Sequence, residues 1–368
     1  MADRVKRCIA SLGIVCVLWI CGFSQSDDSQ LFTDPSISLS GQWFLGYEKG
    51  EVGVKAYNEF LLKRGYITVK KEFNKHLSGR ITPDISVDQE GDGEGDIEMR
   101  LKYCYLRYKF DDIGWFTDPY FEFGLVHRPW LDFQQQINGY RVQGTMFLER
   151  NGFLNSADYG VTCVALLGGK IDQAFQDRVS KNSPGRYGSI SVGVYNGGGY
   201  HAIEKNRNKS FEGRLSIRPF PSQLTGLQLS YTGIYGKGNV EFEPDFVLSG
   251  GYLSYETSVL TFTAMGFTSE GNSSGSYVDD MGEALHNSGY SFFSEIRIPF
   301  TSWNFVGRYD YMEQDTRPGS WHNERTIVGV SHYFLGNSKV LLDYDILNTT
   351  RPGGRDSHAF EIAVEVNY

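Results

Sequence analysis

The chain has 368 residues with 23 Tyr, 25 Phe and 43 Gly but only 11 Pro, and its formal net charge is −9. That acidity argues against a nucleic-acid partner. The mean hydropathy of −0.35, with no apolar run of helix-spanning length after the N-terminal region, leaves no helical route across a bilayer. A barrel stays open, because its strands turn only every second residue to lipid around a polar lumen, and one barrel domain can have this length.

The first residues read as a secretory signal. Arg4, Lys6 and Arg7 form a positive start, an apolar stretch occupies 9–20, and the small residues Gly22 and Ser24 suit a cut after Ser24. The alternative is an anchor helix, for which this stretch is short against the ~20 residues a span needs. A lipid on Cys21 is a further alternative, opposed by the bulky Ile20 before it. The domain reading is a signal peptide over 1–24 and a single barrel over 25–368, the latter with a net charge of about −11 once Asp3 and the three cations leave. Cys8, Cys16 and Cys21 fall in the signal; Cys104 and Cys163 fall in strand patterns and read as isolated wall residues rather than a disulfide.

Period-two alternation then recurs along the chain. Leu77, Ile81, Ile85 and Val87 alternate with Ser78, Arg80, Thr82 and Asp84. Ile97, Met99, Leu101 and Tyr103 alternate with Glu98, Arg100, Lys102 and Cys104. Phe211, Leu215 and Ile217 oppose Glu212, Arg214, Ser216 and Arg218, and Leu227, Leu229, Tyr231 and Tyr235 oppose Gln228, Ser230 and Thr232. Near the end, Val340, Leu342, Tyr344 and Ile346 oppose Leu341, Asp343, Asp345 and Leu347. The last strand is the clearest: Phe360, Ile362, Val364, Val366 and Tyr368 against Glu361, Ala363, Glu365 and Asn367. Charges keep to one face, as a lipid-facing wall requires. The stretches 246–256 and 326–334 are ambiguous.

These patterns make about sixteen segments of roughly ten residues, the length of a tilted membrane strand. Their connections alternate. Short ones fall at 74–75, 222–225, 257–258, 301–302 and 336–338; long ones fall at 49–59, 88–96, 128–156, 197–209, 270–287, 314–323 and 350–357. Short periplasmic turns and long outer loops are the asymmetry of an outer-membrane barrel, all-β, antiparallel and closed. The connection 168–186 breaks the rule. It reads as a periplasmic insertion with a short helix over 171–179, or as a slipped strand count.

The run AYNEFLLKRGYITVKKEFNKHLSGRITPD at 56–84, the FLER of 147–150 and the SADYGV of 156–161 resemble the phosphate-selective porin O and P family. The resemblance implies a sixteen-stranded, trimeric, water-filled channel whose third outer loop folds inward as a constriction. The alternative for that loop, 128–156, is an external flap. It carries Arg128, Asp132, Arg141, Glu149 and Arg150, of which Arg141, Glu149 and Arg150 match the family's loop pattern. An aromatic residue closing an alternating last strand also resembles the signature read by the barrel-insertion machinery. The family's phosphate preference is not carried over, because a phosphate ladder needs cations and this chain is acidic.

The inward faces carry Arg64, Arg80, Arg100 and Lys102 on strands two to four. Glu295, Asp310, Asp343, Asp345, Glu361 and Glu365 lie on strands twelve to sixteen, with Arg297 and Arg308 among them, and further acids stand at Asp84, Glu98 and Glu122. Charge rings set ion preference. The expectation is a passive pore for small hydrophilic solutes, weakly cation-preferring; the alternative is that these charges pair and merely keep the lumen wet. Expected partners are lipid and lipopolysaccharide, the insertion machinery and two further copies, with no cofactor.

Other chemistry is weaker. Asp88, Asp92, Glu94 and Asp96 could gather calcium, but Ile97 stands where an EF-hand needs Gly, and a solvated loop accounts for them. The His residues show no metal spacing. Ser331 and His332 are neighbours on a strand and so point to opposite faces, and no GxSxG occurs, which leaves a barrel hydrolase unsupported. A non-conducting barrel for adhesion or scaffolding is the other alternative.

Overall fold

The computed structural model describes residues 34–88, 93–316 and 319–368. The proposed signal peptide over 1–24 lies outside them, as do residues 89–92, Asp92 among them.

The first eight strands are β1 (Ile37–Val52), β2 (Lys55–Glu72), β3 (Leu77–Val87), β4 (Ile97–Lys109), β5 (Phe116–His127), β6 (Ala157–Leu167), β7 (Gly188–Tyr195) and β8 (Ser210–Ile217). The second eight are β9 (Leu227–Lys237), β10 (Asp245–Glu256), β11 (Leu260–Glu270), β12 (His286–Arg297), β13 (Trp303–Asp315), β14 (Ser320–Leu335), β15 (Ser338–Thr349) and β16 (Ser357–Asn367). Each pairs antiparallel with its sequence neighbours, and β1 closes the ring on β16 from Gln42↔Asn367 to Val52↔Ser357. Closure gives every strand a partner on both edges, which is what a sheet in lipid needs.

Outward positions are apolar and exposed. Along β9, Leu229, Tyr231 and Tyr235 face out, while Gln228, Ser230 and Thr232 are buried inside. Exposed aromatics gather near the strand ends, with Phe110, Trp115, Phe116, Phe220 and Trp303 at the terminus side. Tyr290 stacks between Tyr309 and Tyr311 toward the other rim. These are the belts expected at two membrane interfaces.

Two expectations need correction. The stretch 49–59 is not a long loop: β1 and β2 run on through it and turn at Gly53 and Val54, where Gly53 takes a φ of +61°. Its charged residues stand on strands that continue beyond the apolar belt. The connection 314–323 shrinks likewise to 316–319. The second correction is a β-bulge. Thr82 pairs with Tyr103 but Pro83 pairs with Leu101, so Lys102 is an extra residue. Lys102 and Tyr103 therefore both turn inward, and Cys104 joins the outer face. A matching shift between Phe44 and Leu45 leaves Lys63 extra on β2.

Among the described residues three α-helices lie outside the sheet, α1 (Pro129–Ile137), α2 (Phe147–Arg150) and α3 (Gln173–Arg178), with a 3-10 turn over Arg141–Gln143 between the first two. The strand count does not slip at 168–186; the long connection there holds α3 and sits at the terminus side. The ambiguous stretches are β10 and part of β14. In β10 both faces are apolar: Val247 is exposed outward, and Phe246, Leu248 and Tyr252 are buried inward, where α1, α2 and their flanks cover them.

Candidate functional site

Between β5 and β6 the connection 128–156 is tied to lumen-facing side chains around the ring. Its first anchor is a fully buried ion pair. Arg128 donates from Nε to Glu212 Oε2 of β8 at 2.7 Å, and the Trp130 backbone N–H donates to the other Glu212 oxygen at 2.8 Å. The Arg128 guanidinium also lies 5.2 Å over the Tyr195 ring. Pro129 begins α1 where its missing N–H is no loss. α1 then sets Trp130 edge-on to Tyr252 at 5.0 Å, with Phe133 beside it under Arg214.

Beyond α1 the chain crosses toward the other wall. Tyr140 donates its hydroxyl to Glu295 of β12 at 2.8 Å and shares a hydrogen bond with Ser331 of β14 at 2.7 Å. Arg141 donates to the Tyr66 hydroxyl of β2 at 2.6 Å. Arg308 of β13 donates to the Thr145 carbonyl at 3.0 Å, and Arg150 stands 3.6 Å from Asp310. Phe147 and Phe153 return the chain to the apolar wall against Phe267 of β11. Burial first, then Arg308 and Arg325, push Arg150 down to about 9, which leaves it charged at neutral pH.

The inner wall is therefore divided. Around β9–β12 it is largely apolar or hydroxylated, with Glu256 and Glu295 as its acids, and the connection packs on it. Around β1–β4 and β13–β16 it carries charges, and cavities border it. One, of about 800 Å³, lies toward the terminus side between Arg80, Asp132 and Arg141 on one flank and Lys339 and Glu365 on the other. Another, of about 300 Å³, lies on the far side of the connection among Glu48, Lys63, Arg150, Asp345 and Glu361.

The candidate residues of β2–β4 gather as one basic group. Arg64 lies 3.4 Å from Asp84, Arg80 packs over Tyr103 and bonds His127, and Arg100 pairs with Glu98. Lys102 is buried, donates to Tyr66 at 3.1 Å and lies 4.7 Å over that ring. Arg141 joins it from the connection. Lys70, Arg80, Lys102 and Arg141 border a common cavity of about 280 Å³ that no Asp or Glu side chain lines. Asp132 and Glu149 sit on the connection itself, held by Gln136 and Gln135.

The acidic candidates are partly neutralised. Asp310 takes two contacts from Arg308 and a hydrogen bond from Ser291. Asp345 pairs with Arg325 at 3.0 Å, Glu365 with Lys339 at 2.7 Å, and Glu361 with Lys63. Asp343 has the same Lys63 and Gln143 as neighbours. Lys63, Lys339, Tyr140 and Glu212 are the residues sequence reasoning missed. Lys63 faces inward because of the bulge, and no period-two rule places it. Glu212 was legible as an inward charge, but its partner Arg128 lies 84 residues away in sequence.

Ser331 and His332 do point to opposite sides: Ser331 bonds Tyr140 inside, and His332 packs on the exposed Trp303. Among the described residues no group of three or more His, Cys, Asp or Glu is placed to hold a metal ion. Cys104 and Cys163 are both free.

The architecture is similar to that of solved outer-membrane proteins. An anion-selective porin from Comamonas acidovorans matches at a TM-score of 0.63 and 10% identity, over 90% of this chain and 99% of that one. OmpF from Salmonella typhi, in complex with daunomycin, matches at 0.60 and 12% identity, over 90% and 97%. OmpT of Vibrio cholerae, an outer membrane protein in trimer form, matches at 0.57 and 11%, over 90% and 100%. No family model matches the chain, and no curated protein does. The closed barrel and its lipid-facing belt make the chain an integral outer-membrane protein.

Proposed function

We propose that the barrel is a porin, a passive diffusion channel for small hydrophilic solutes and ions. The observation that carries this reading is the division of the inner wall. The connection 128–156 covers the apolar sector, and cavities adjoin the charged sector on both of its sides. The path is then eccentric. It runs between the connection, with Asp132, Arg141, Glu149 and Arg150, and a wall carrying Arg64, Arg80, Arg100 and Lys102 on one side and Asp310, Asp343, Asp345, Glu361 and Glu365 on the other. The connection acts as its constriction. Sixteen strands suit an aqueous lumen.

The finer reading is a weak cation preference. Outer connections 238–244 and 271–285 hold Glu241, Glu243, Asp279, Asp280 and Glu283 and no Lys or Arg, so the outer mouth concentrates cations. The basic group within opposes it, which keeps the preference weak. The resemblance to the porin O and P family and the trimer form of one structural neighbour support a homotrimer in lipid and lipopolysaccharide, inserted through the last strand. Zero-current potentials in planar bilayers under a salt gradient test the ion preference: a potential of anion sign contradicts it.

A further inference from the structure

The connection 168–187 is long where the barrel's other turns at this side are short, and it is tied off rather than trailing. At its neck Ile171 and Arg186 donate backbone N–H groups to Pro184 and Gly169 at 2.9 Å each, and Lys170 bridges Gly185. The neck is fixed to the wall by Lys170 pairing with Asp118, by Gly169 donating to Thr117 Oγ1 at 3.0 Å and by Arg218 donating to the Gly185 carbonyl at 2.7 Å. α3 begins on an Asp172 cap that accepts from the Ala174 N–H. Gln176 folds back to the Ile171 carbonyl at 2.9 Å. The segment is a closed, internally bonded unit.

Its tip reaches under the connection 128–156. Asn182 donates to the Gln136 carbonyl and Ser183 to the Gln136 side chain, at the last turn of α1. Ser180 lies against Glu256 at the end of β10. The 800 Å³ cavity has Asp132, Gln135 and Gln136 on its upper side and Gln176, Ser180 and Lys181 on its lower side. A second cavity of about 290 Å³ lies between α1 and Ser183 and Pro184 of the same tip. The cavity below the upper connection is thus bordered by this tip.

We infer that residues 172–183 form a second constriction, in series with the connection 128–156, which limits ion flow and solute size at the periplasmic mouth. This rests on the proposed channel function. A resistance in series adds to the total, so removing it raises conductance; the connection 128–156 loses its contacts at Gln136 but keeps its anchors on Glu212, Glu295, Tyr66 and Arg308. The neck contacts of Gly169, Lys170, Gly185 and Arg186 lie outside 172–183, so replacing that stretch by two glycines removes none of the residues that make them.

The experiment compares single-channel conductance and the size cut-off for sugars in liposome swelling between the full chain and the protein with 172–183 replaced by Gly-Gly. Heat-modifiable gel mobility reports that both barrels are folded. The expected result is a conductance higher by roughly half or more and passage of larger sugars. A second arm does not depend on a deletion. In a background of Cys104→Ser and Cys163→Ser, the Ser180→Cys protein is treated from the periplasmic side with a bulky, charged methanethiosulfonate reagent. Labelling should reduce the current, and the parent background with Ser180 intact should not respond. A conducting full chain with unchanged conductance and cut-off after deletion, and with unchanged current after complete labelling, overturns the second constriction alone. Silence of the full chain with current after deletion supports it as a plug. Silence of both overturns the channel reading and this inference with it.

Discussion

Lys102 stands where the alternation of β4 breaks, and the break decides what the lumen looks like there. A strict period of two puts Tyr103 against lipid and Cys104 inside; the extra residue opposite Thr82 and Pro83 reverses both. The basic group thus gains the Tyr103 and Tyr66 faces that lie close to its cations. Such π contacts stabilise a cation by about 0.5–2 kcal/mol without a counter-charge. Arg64, Arg80 and Arg100 were legible as inward charges, because alternation survives around them. Their crowding with Arg141 was not, because the contact joins a strand to a connection some 75 residues away. Removing Arg141 takes one positive charge from this group. Arg141→Ala should move the zero-current potential further toward cation selectivity by several millivolts, about the order set by one charge in a narrow path. An unchanged potential would remove Arg141 from the ion path. At the other end of the connection, Arg128 and Glu212 are both fully buried and leave no room for water to replace a lost partner. Glu212→Gln leaves the Arg128 charge with only the more distant Asp158, 3.9 Å away, and should destabilise the fold by about 1–3 kcal/mol, read as an earlier midpoint in urea unfolding from liposomes.

At the scale of elements, loop lengths were read well where turn residues mark them and badly where polar strands imitate loops. The residues 49–59 include Lys49, Glu51, Lys55 and Glu59, a composition that reads as solvent-exposed coil. The same composition suits strands that extend past the bilayer into water, and a two-residue turn at Gly53 joins them. β10 failed for the opposite reason. Its inward face is apolar because the connection 128–156 lies on it, so the strand shows no polar side to alternate with. An apolar inward face on one sector of a barrel is itself a signal that something covers it. The connection's hold on the far wall runs through Tyr140, whose hydroxyl meets Glu295, Ser331 and Asn304. Tyr140→Phe removes these bonds and costs about 1–3 kcal/mol, because polar partners are left facing a ring. Open-channel current noise should rise while the mean conductance changes little. Steady current equal to that of the unaltered protein would show that the hydroxyl does not hold the constriction still.

For the whole molecule, the last strand joins the ends of the chain. β16 pairs with β1 over eleven positions, and the Trp43 indole N–H donates to the Tyr368 hydroxyl at 3.2 Å on the outside. On the inside the same strand contributes Glu361, paired with Lys63 of β2 across β1, and Glu365, paired with Lys339 of the neighbouring β15. The strict alternation of 359–368 therefore encoded both a lipid face and a charged face, and an even number of such strands lets an all-antiparallel ring close. The pairing of lumen charges was not legible, since it depends on which side chains the ring brings opposite one another. The central claim is that the uncovered sector of this lumen conducts. Single-channel recording of the purified, folded protein in a planar bilayer tests it most directly. Discrete, repeatable current steps in potassium chloride are the predicted result, and a folded, inserted barrel that passes no current contradicts it.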